Sequence, residues 1–396
     1  RRLPCHDERR SMSRFFDIVS KPARNLGAAT LPSSTPAAME RRSRLIRLDS
    51  NENPYGPSTR ALDAMRNALG TTNSYPDDDC SPLRLKLAAH HGLPPEQVLV
   101  TAGSTGMLSL LCQTLLAPGL NAVTSERSFI VYSMAVQAAG GQLVEATMRD
   151  DSFDLKAILA AIDSNTRIVF LANPNNPTGT MVEADAVEQF LARLPGHVVA
   201  VLDEAYYEFA LHFATLRKIK YSNSLDYVRQ GASAVVLRTF SKAQGLAGLR
   251  VGYGLGPAEL LGYCARMRNT FSVSSVAQAA AGAALDDYLH IQRVVENNAQ
   301  QSRVLGQGLS ALGYRVVPTA ANFLFCDLGE EAAPVANRLQ DEGVAVRPLA
   351  HWGAPNCIRV TIGTPEQNQI FLGAARRLGS HNAAPGPQAS RSVRGN

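Results

Sequence analysis

No stretch of this 396-residue chain stays apolar for the roughly 18 residues a membrane-spanning helix needs, so no span and no membrane partner are expected. The six cysteines (Cys5, Cys80, Cys112, Cys264, Cys326 and Cys357) are scattered, with no C-x-x-C pair and no histidine-rich spacing. They read as reduced, mostly buried thiols of a cytoplasmic protein, and no metal site is expected. An excess of one charge is also missing from the body of the chain. The formal net charge of +5 comes from the ends: residues 1–44 hold ten Lys/Arg against four Asp/Glu, and the tail from Ser380 adds Arg391 and Arg394. The remainder is three charges negative, so the basic balance gives no reason to expect nucleic acid. There is no internal repeat.

What is present is ordinary for a globular enzyme: 45% hydrophobic and 18% charged residues. The length allows two or three domains, or one large α/β unit with a smaller satellite. Residues 1–44, rich in Arg, Ser, Ala and Pro, read as a mobile arm. Their basic character suits an organellar presequence, but Asp7, Glu8, Asp17 and Glu40 weigh against one, and Met12 and Met39 are alternative starts. Order is expected from Ile46, through the rigid turn Asn51-Glu-Asn-Pro-Tyr-Gly-Pro57, to a helix from Ser58 to about Leu69. Asn73-Ser-Tyr-Pro-Asp77 is a second tight loop.

From Gln97 strands and helices alternate. Val98–Thr101 runs into a glycine-hydroxyl turn, Ala102-Gly-Ser-Thr-Gly106, and a helix. Ile168–Leu171 ends in Asn173-Pro-Asn-Asn-Pro-Thr-Gly179, and Val198–Leu202 ends in Asp203-Glu-Ala-Tyr-Tyr207. Ala234–Leu237 leads into Arg238-Thr-Phe-Ser-Lys-Ala-Gln-Gly-Leu-Ala-Gly-Leu-Arg250, after a polar insertion around Leu216–Gln230. The alternation predicts a mostly parallel sheet flanked by helices, with ligands beyond the carboxyl ends of its strands. Every motif just quoted falls at such an end. From about Ser274 the pattern changes to alanine-rich helix as far as Leu312, short strands near Tyr314–Val317, Asn322–Cys326, Val344–Arg347 and Ile358–Ile362, and a last helix from Pro365 to Leu378. That is a second, smaller α+β domain.

The residue types carry chemistry. Lys242 can condense with an aldehyde while Thr239, Ser241 and Arg250 hold a phosphate, although a Ser-Lys pair before a glycine-rich loop also serves as a plain structural turn. The Ser104-Thr105 turn offers backbone N–H groups to an anion or is an ordinary βα turn. Asp203, at the rim of an apolar sheet, needs a partner: a protonated pyridine nitrogen, or a helix terminus that it caps. Tyr206 and Asn176 can reach a ring oxygen, and Phe129 covers a ring face or belongs to the core.

Together, Asn173–Gly179, Asp203–Tyr206 and Ser241-Lys242 through Arg250 resemble the pyridoxal-phosphate aminotransferases of fold type I. Within them, Asn51–Pro57, Tyr75-Pro-Asp77, Val346-Arg347 and Ile358-Arg-Val-Thr-Ile-Gly363 resemble the histidinol-phosphate aminotransferases. The likeness spans about Leu45 to Leu378. It implies an α/β fold of the aspartate-aminotransferase type. By the same likeness an N-terminal segment, 45–75, is expected to reach the active site and the dimer partner, with a large cofactor-binding domain over 76–275, a small C-terminal domain over 276–379 and a disordered tail over 380–396. It implies pyridoxal 5'-phosphate as cofactor and Lys242 as the catalytic amine. Asp203 is expected on the pyridine nitrogen, Tyr206 and Asn176 on the ring oxygen, Phe129 on the ring face, and Ser104, Thr105, Thr239, Ser241 and Arg250 on the phosphate. Tyr75 is expected to reach the phosphate of a second subunit, making a homodimer. Tyr55, Asn322, Arg347 and Arg359 correspond to substrate-side positions. The implied reaction is L-histidinol phosphate plus 2-oxoglutarate giving imidazole acetol phosphate plus glutamate, in histidine biosynthesis. An aromatic-amino-acid aminotransferase and a threonine-phosphate decarboxylase are the enzymatic alternatives. The effector module of a transcription regulator would need a DNA-binding domain, for which 44 residues of arm lack both length and helix-turn-helix periodicity.

Overall fold

The computed structural model describes residues 15, 18–26, 40 and 43–382. Most of the expected N-terminal arm, Cys5, and residues 383–396 of the expected tail lie outside these. The last helix, Pro365–Asn382, runs past Leu378 into the start of that tail.

Seven strands build the large sheet: β1 Val98–Thr101, β2 Asn121–Ser125, β3 Gln142–Ala146, β4 Thr166–Ala172, β5 Val199–Asp203, β6 Ala234–Thr239 and β7 Gly252–Leu255. Their spatial order is β1-β7-β6-β5-β4-β2-β3. The pairs β2/β3, β2/β4, β4/β5 and β5/β6 are parallel, and only β7 runs against both of its neighbours. Strand β6 is buried along its whole length, as a sheet covered by helices on both faces requires. One covering helix, Gly103–Leu115, buries Met107, Leu108, Leu111 and Cys112. Strand β7 passes so close to it that a Cβ on Gly252 would lie 2.5 Å from the Ser104 nitrogen, so only glycine fits.

The second unit is an antiparallel sheet of β8 Arg315–Val317, β9 Phe323–Asp327, β10 Arg347–Leu349 and β11 Ala354–Thr361, in the order β8-β9-β11-β10. Its core, including Leu305, Leu324, Ile358, Val360 and Phe371, is closed by helices Tyr288–Ser310, Ala332–Asp341 and Pro365–Asn382. The N-terminal segment joins this unit: Ile46–Arg47 pairs in parallel with Val344–Ala345, and Leu48 sits in the same core. From there the chain crosses to the large sheet and turns into helix Thr59–Ala68, whose first turn is capped by the Ser58 hydroxyl accepting from Ala61 N at 3.2 Å.

Strands β3 and β7 of the large sheet were not expected from the sequence, and the helices differ from that reading in two places. The alanine-rich stretch is two helices, Ser275–Ala284 and Tyr288–Ser310, because the Asp287 carboxylate caps a new start by accepting from His290 N. The segment read as a polar insertion is preceded by a helix, Tyr207–Arg217, and contains another, Ser224–Arg229. Cys80, Cys112, Cys264, Cys326 and Cys357 are free, buried thiols. Among the described residues, no helix is long and apolar enough to cross a membrane, and no group of three or more His, Cys, Asp or Glu is placed to hold a metal ion.

Candidate active site

A cavity of about 460 Å³ opens beyond the carboxyl ends of β1, β4, β5 and β6. The large sheet forms its floor, and its opposite wall is made by Ser50–Glu52 with Arg347, Trp352 and Arg359 of the smaller unit. Every residue expected from the sequence lines it except Tyr55, Tyr75 and Asn322.

The anion end lies at the start of helix Gly103–Leu115. No side chain caps this helix, which leaves its first N–H groups free to face a ligand. Arg250, in the left-handed region at φ +53°, aims Nη1 at Ser241 Oγ (3.3 Å) and Nη2 at Thr105 Oγ1 (3.4 Å). Thr239 Oγ1 donates to Ser241 Oγ at 2.9 Å. The guanidinium comes so near the turn that a Cβ on Gly103 would meet Nη2 at 2.4 Å. Hydroxyls, an uncapped helix start and an arginine together suit a phosphate.

At the centre, Lys242 Nζ donates weakly to the carbonyls of Ser50 (3.4 Å) and Asn51 (3.3 Å). Burial pulls its ammonium down to about 8, helped by Arg359 and Arg250 and opposed by Glu52 and Asp203. An amine so placed is ready to lose its proton and act as a nucleophile or base. Asp203 closes β5 on the floor. Its Oδ2 accepts from the Tyr132 hydroxyl at 2.8 Å and its Oδ1 from Ala205 N at 3.2 Å. Burial raises this carboxyl to about 6, while the two hydrogen bonds hold it down. A buried carboxylate facing an open cavity suits a cationic ring nitrogen.

Phe129 lies on the cavity wall, edge-on to Tyr132 at 5.6 Å between ring centroids. Tyr206 is buried, and its hydroxyl accepts from Asn51 Nδ2 at 2.9 Å. Asn176 Oδ1 accepts from Arg359 Nη1 at 2.6 Å. Arg347 and Arg359 face each other across the β10/β11 pair. Arg359 is buried, and its Nε, also buried, has no hydrogen-bond partner among the described residues. Burial also lowers Arg359 to about 10.

The three residues that do not line the cavity have other surroundings. Asn322 Nδ2 donates to the Asn51 carbonyl at 3.0 Å and so supports the segment that Lys242 touches. Tyr55 packs beside Tyr206 and Phe323, with the Arg293 guanidinium 4.1 Å above its ring. Tyr75 lies on the surface, 82% exposed, stacked on Phe271 at 4.5 Å.

Sequence reasoning missed Tyr132, Asn51 and Trp352. Tyr132 stands in the first turn of the helix Val131–Ala138, just after Phe129, and its ring stacks on Phe170 at 4.5 Å. Asn51 stands in the Asn-Glu-Asn-Pro turn at φ +55°, a strained geometry that asparagine tolerates. The 216–230 segment now has a structural account. Ser224 Oγ donates to Glu204 Oε1 at 2.7 Å, Ser222 Oγ donates to the same oxygen, and Tyr221 donates to the Asn173 carbonyl. Arg238 holds Glu204 Oε2 through Nε (3.1 Å) and Nη2 (2.8 Å). This buried network braces the strand end next to Asp203.

A phosphate nest, a buried carboxylate and a buried amine of lowered pKa fit pyridoxal phosphate as a donor set. Comparison with known proteins agrees. The family model for aminotransferases of class I and II matches residues 43–374. Histidinol-phosphate aminotransferase 2 of Pseudomonas aeruginosa is 44% identical over 338 residues, 85% of this chain and 90% of that one. Histidinol-phosphate aminotransferase of Moorella thermoacetica is 41% identical over 335 residues, 84% and 85% of the two chains. The crystal structure of histidinol-phosphate aminotransferase from Sinorhizobium meliloti, in complex with pyridoxal-5'-phosphate, superposes with a TM-score of 0.82 at 30% identity, covering 94% of this chain and 99% of that one.

Proposed function

The chain belongs to the class I and II aminotransferases, and from that membership we propose that it transfers the amino group of L-histidinol phosphate to 2-oxoglutarate, giving imidazole acetol phosphate and glutamate. Its cofactor is pyridoxal phosphate. The observation that carries the reading is one cavity with a buried amine, Lys242, between an anion nest at Arg250 and a second cationic pair, Arg347 and Arg359. One nest serves the cofactor's phosphate and the other the anionic end of the substrate. The choice of histidinol phosphate is supported by the relatives at 41–45% identity that carry its name.

Bound here, pyridoxal phosphate supplies an aldehyde and an electron-accepting ring. Ser104, Thr105, Thr239, Ser241 and Arg250 would hold its phosphate, Asp203 its ring nitrogen, Tyr206 and Asn176 its ring oxygen, and Phe129 its ring face. Lys242 Nζ takes the proton from Cα of the amino donor, a role suited to a buried amine near 8. Tyr132 keeps Asp203 oriented and charged. Arg359 and Arg347 bind the donor's anionic end and later a carboxylate of the acceptor. Closing the segment Ser50–Glu52 over Lys242 keeps water from the amine. We take the enzyme to be a cytoplasmic homodimer in which Tyr75, exposed beside Phe271, serves the partner's site, and Tyr55 and Asn322 shape the substrate side.

Glutamate formation from 2-oxoglutarate tests the reading. Histidinol phosphate should give a higher kcat/KM than phenylalanine, and threonine phosphate should release no CO2. A preference for phenylalanine makes the chain an aromatic-amino-acid aminotransferase; CO2 from threonine phosphate makes it a decarboxylase.

A further inference from the structure

Asp49 lies behind the two substrate-side arginines, and the chemistry above makes no use of it. Its main-chain oxygen accepts hydrogen bonds from both, Arg347 Nε at 3.2 Å and Arg359 Nη2 at 3.0 Å. Its carboxylate is set between two guanidiniums: Oδ2 is 3.5 Å from Arg347 Nη2, and Oδ1 is 3.5 Å from Arg47 Nε. Oδ1 is buried with no hydrogen-bond partner among the described residues. The carboxylate is not part of the cavity wall, but Arg347 is. Asp49 therefore acts on a ligand only through the arginines.

On the transamination reading, which the inference presupposes, this arginine pair meets two anionic groups of different charge. The donor's phosphate carries about −1.5 to −2 near neutral pH; a carboxylate of the acceptor carries a single charge. Coulomb attraction scales with charge, so two uncompensated arginines hold the phosphate disproportionately. A phosphorylated product held that firmly blocks the acceptor that must follow it into the same cavity. We propose that Asp49 is a counter-charge that levels the two anions: acting through Arg347, it weakens phosphate about twice as much, in free energy, as it weakens a carboxylate. It is a positioning residue that sets the relative affinity of the two substrates.

Asp49→Asn removes the charge and keeps both the shape and the main-chain oxygen. The cofactor-loaded variant is titrated at about pH 8, where inorganic phosphate is mostly a dianion, with phosphate and with acetate. Binding is read by calorimetry and by the fluorescence of Trp352, the single tryptophan of the chain and part of the cavity wall. Both anions should bind more tightly, acetate by about threefold and phosphate by about tenfold, because the gain follows the ligand's charge. Histidinol phosphate should also compete with 2-oxoglutarate at lower concentration than in the wild type. Asp49→Ala should match asparagine in sign, and Asp49→Glu should return both affinities toward wild type. Weaker binding of both anions, the mark of a residue that merely holds the arginines in place, overturns the proposal, and so does an equal gain for the two. If the wild-type enzyme fails to transaminate histidinol phosphate, the substrate reading falls instead, and the ratio of phosphate to acetate binding still decides the role of Asp49.

Discussion

The Tyr132 hydroxyl donates a 2.8 Å hydrogen bond to Asp203 Oδ2 at the bottom of the cavity. The pair joins a helix on one face of the sheet to the last residue of β5. Burial alone favours the neutral acid, and the phenol offsets part of that cost by stabilising the carboxylate. The charge that a cationic ring nitrogen needs is therefore held ready in the folded protein.

Asp203→Asn should lower kcat by about a thousandfold or more, since it removes the charge aimed at the reacting group. Tyr132→Phe should have a milder effect with a diagnostic pH signature. Asp203 is raised to about 6, so it loses its charge as pH falls through that value. Without the phenol the carboxyl rises further, and the acid limb of the kcat/KM profile should move to higher pH. A profile unchanged in Tyr132→Phe contradicts the role assigned to this pair.

Lys242 must be neutral to attack an aldehyde. Its pKa is lowered from 10.5 to about 8, so the neutral amine is half formed there and nearly complete about one unit higher. The rate at which cofactor-free protein captures pyridoxal phosphate should climb through about pH 8 and level off by about pH 9. A rate still rising toward pH 10.5 would show an ordinary lysine. Lys242→Ala should capture none covalently.

Arg359 is buried, with Asn176 and the Asp49 carbonyl on its two Nη atoms. On the proposed reading its guanidinium, on the cavity wall, anchors the donor's anionic end. Replacement by Ala should raise KM for histidinol phosphate by about 10- to 100-fold, the worth of one or two charge-assisted hydrogen bonds. Lysine should not restore it, because the forked geometry is lost. Steady-state kinetics on the two variants checks this.

Glu204 and Arg238 form a buried ion pair behind the site, with side chains 1% and 8% exposed. Arg238 also lies over the Tyr207 ring at 3.4 Å. Glu204→Gln leaves the guanidinium buried without its counter-charge and should destabilise the protein by about 3–5 kcal/mol. Denaturant unfolding monitored by circular dichroism reads the loss, which should exceed that of Arg66→Gln, where Arg66 pairs with Asp63 on the exposed surface at 2.6 Å.

The central parallel strands were legible because they are buried on both faces and read as short apolar runs ending in turn-rich motifs, whereas the half-exposed edge strand Gln142–Ala146 and the glycine-containing Gly252–Leu255 were not. Lys242, Asp203, Asn176 and Arg250 could be named from those ends. Helix Tyr207–Arg217 was not, because it buries Phe209, Ala210, Phe213 and Ala214 and carries no clean amphipathic stripe. The break before Tyr288 hid in an alanine-rich run whose stop signal is only a short Asp-Asp pair. Contacts between residues far apart in sequence were equally invisible. Asn51 reaches Tyr206, and Asp49 reaches Arg347 and Arg359, only because Ile46–Arg47 pairs with Val344–Ala345 and brings the N-terminal segment over the site. Glu52 lines the cavity for the same reason.

On the proposed reading, Lys242 and the two arginines act together in transamination of a phosphorylated amine, and a single half-reaction reads this without coupling to an acceptor. The purified protein is loaded with pyridoxal phosphate, histidinol phosphate is added without any keto acid, and the visible spectrum is followed. The band of the lysine-linked cofactor should be lost rapidly, much faster than with phenylalanine, and no such band should form in Lys242→Ala. A faster response to phenylalanine contradicts the assigned substrate, and a band that survives Lys242→Ala contradicts the site itself.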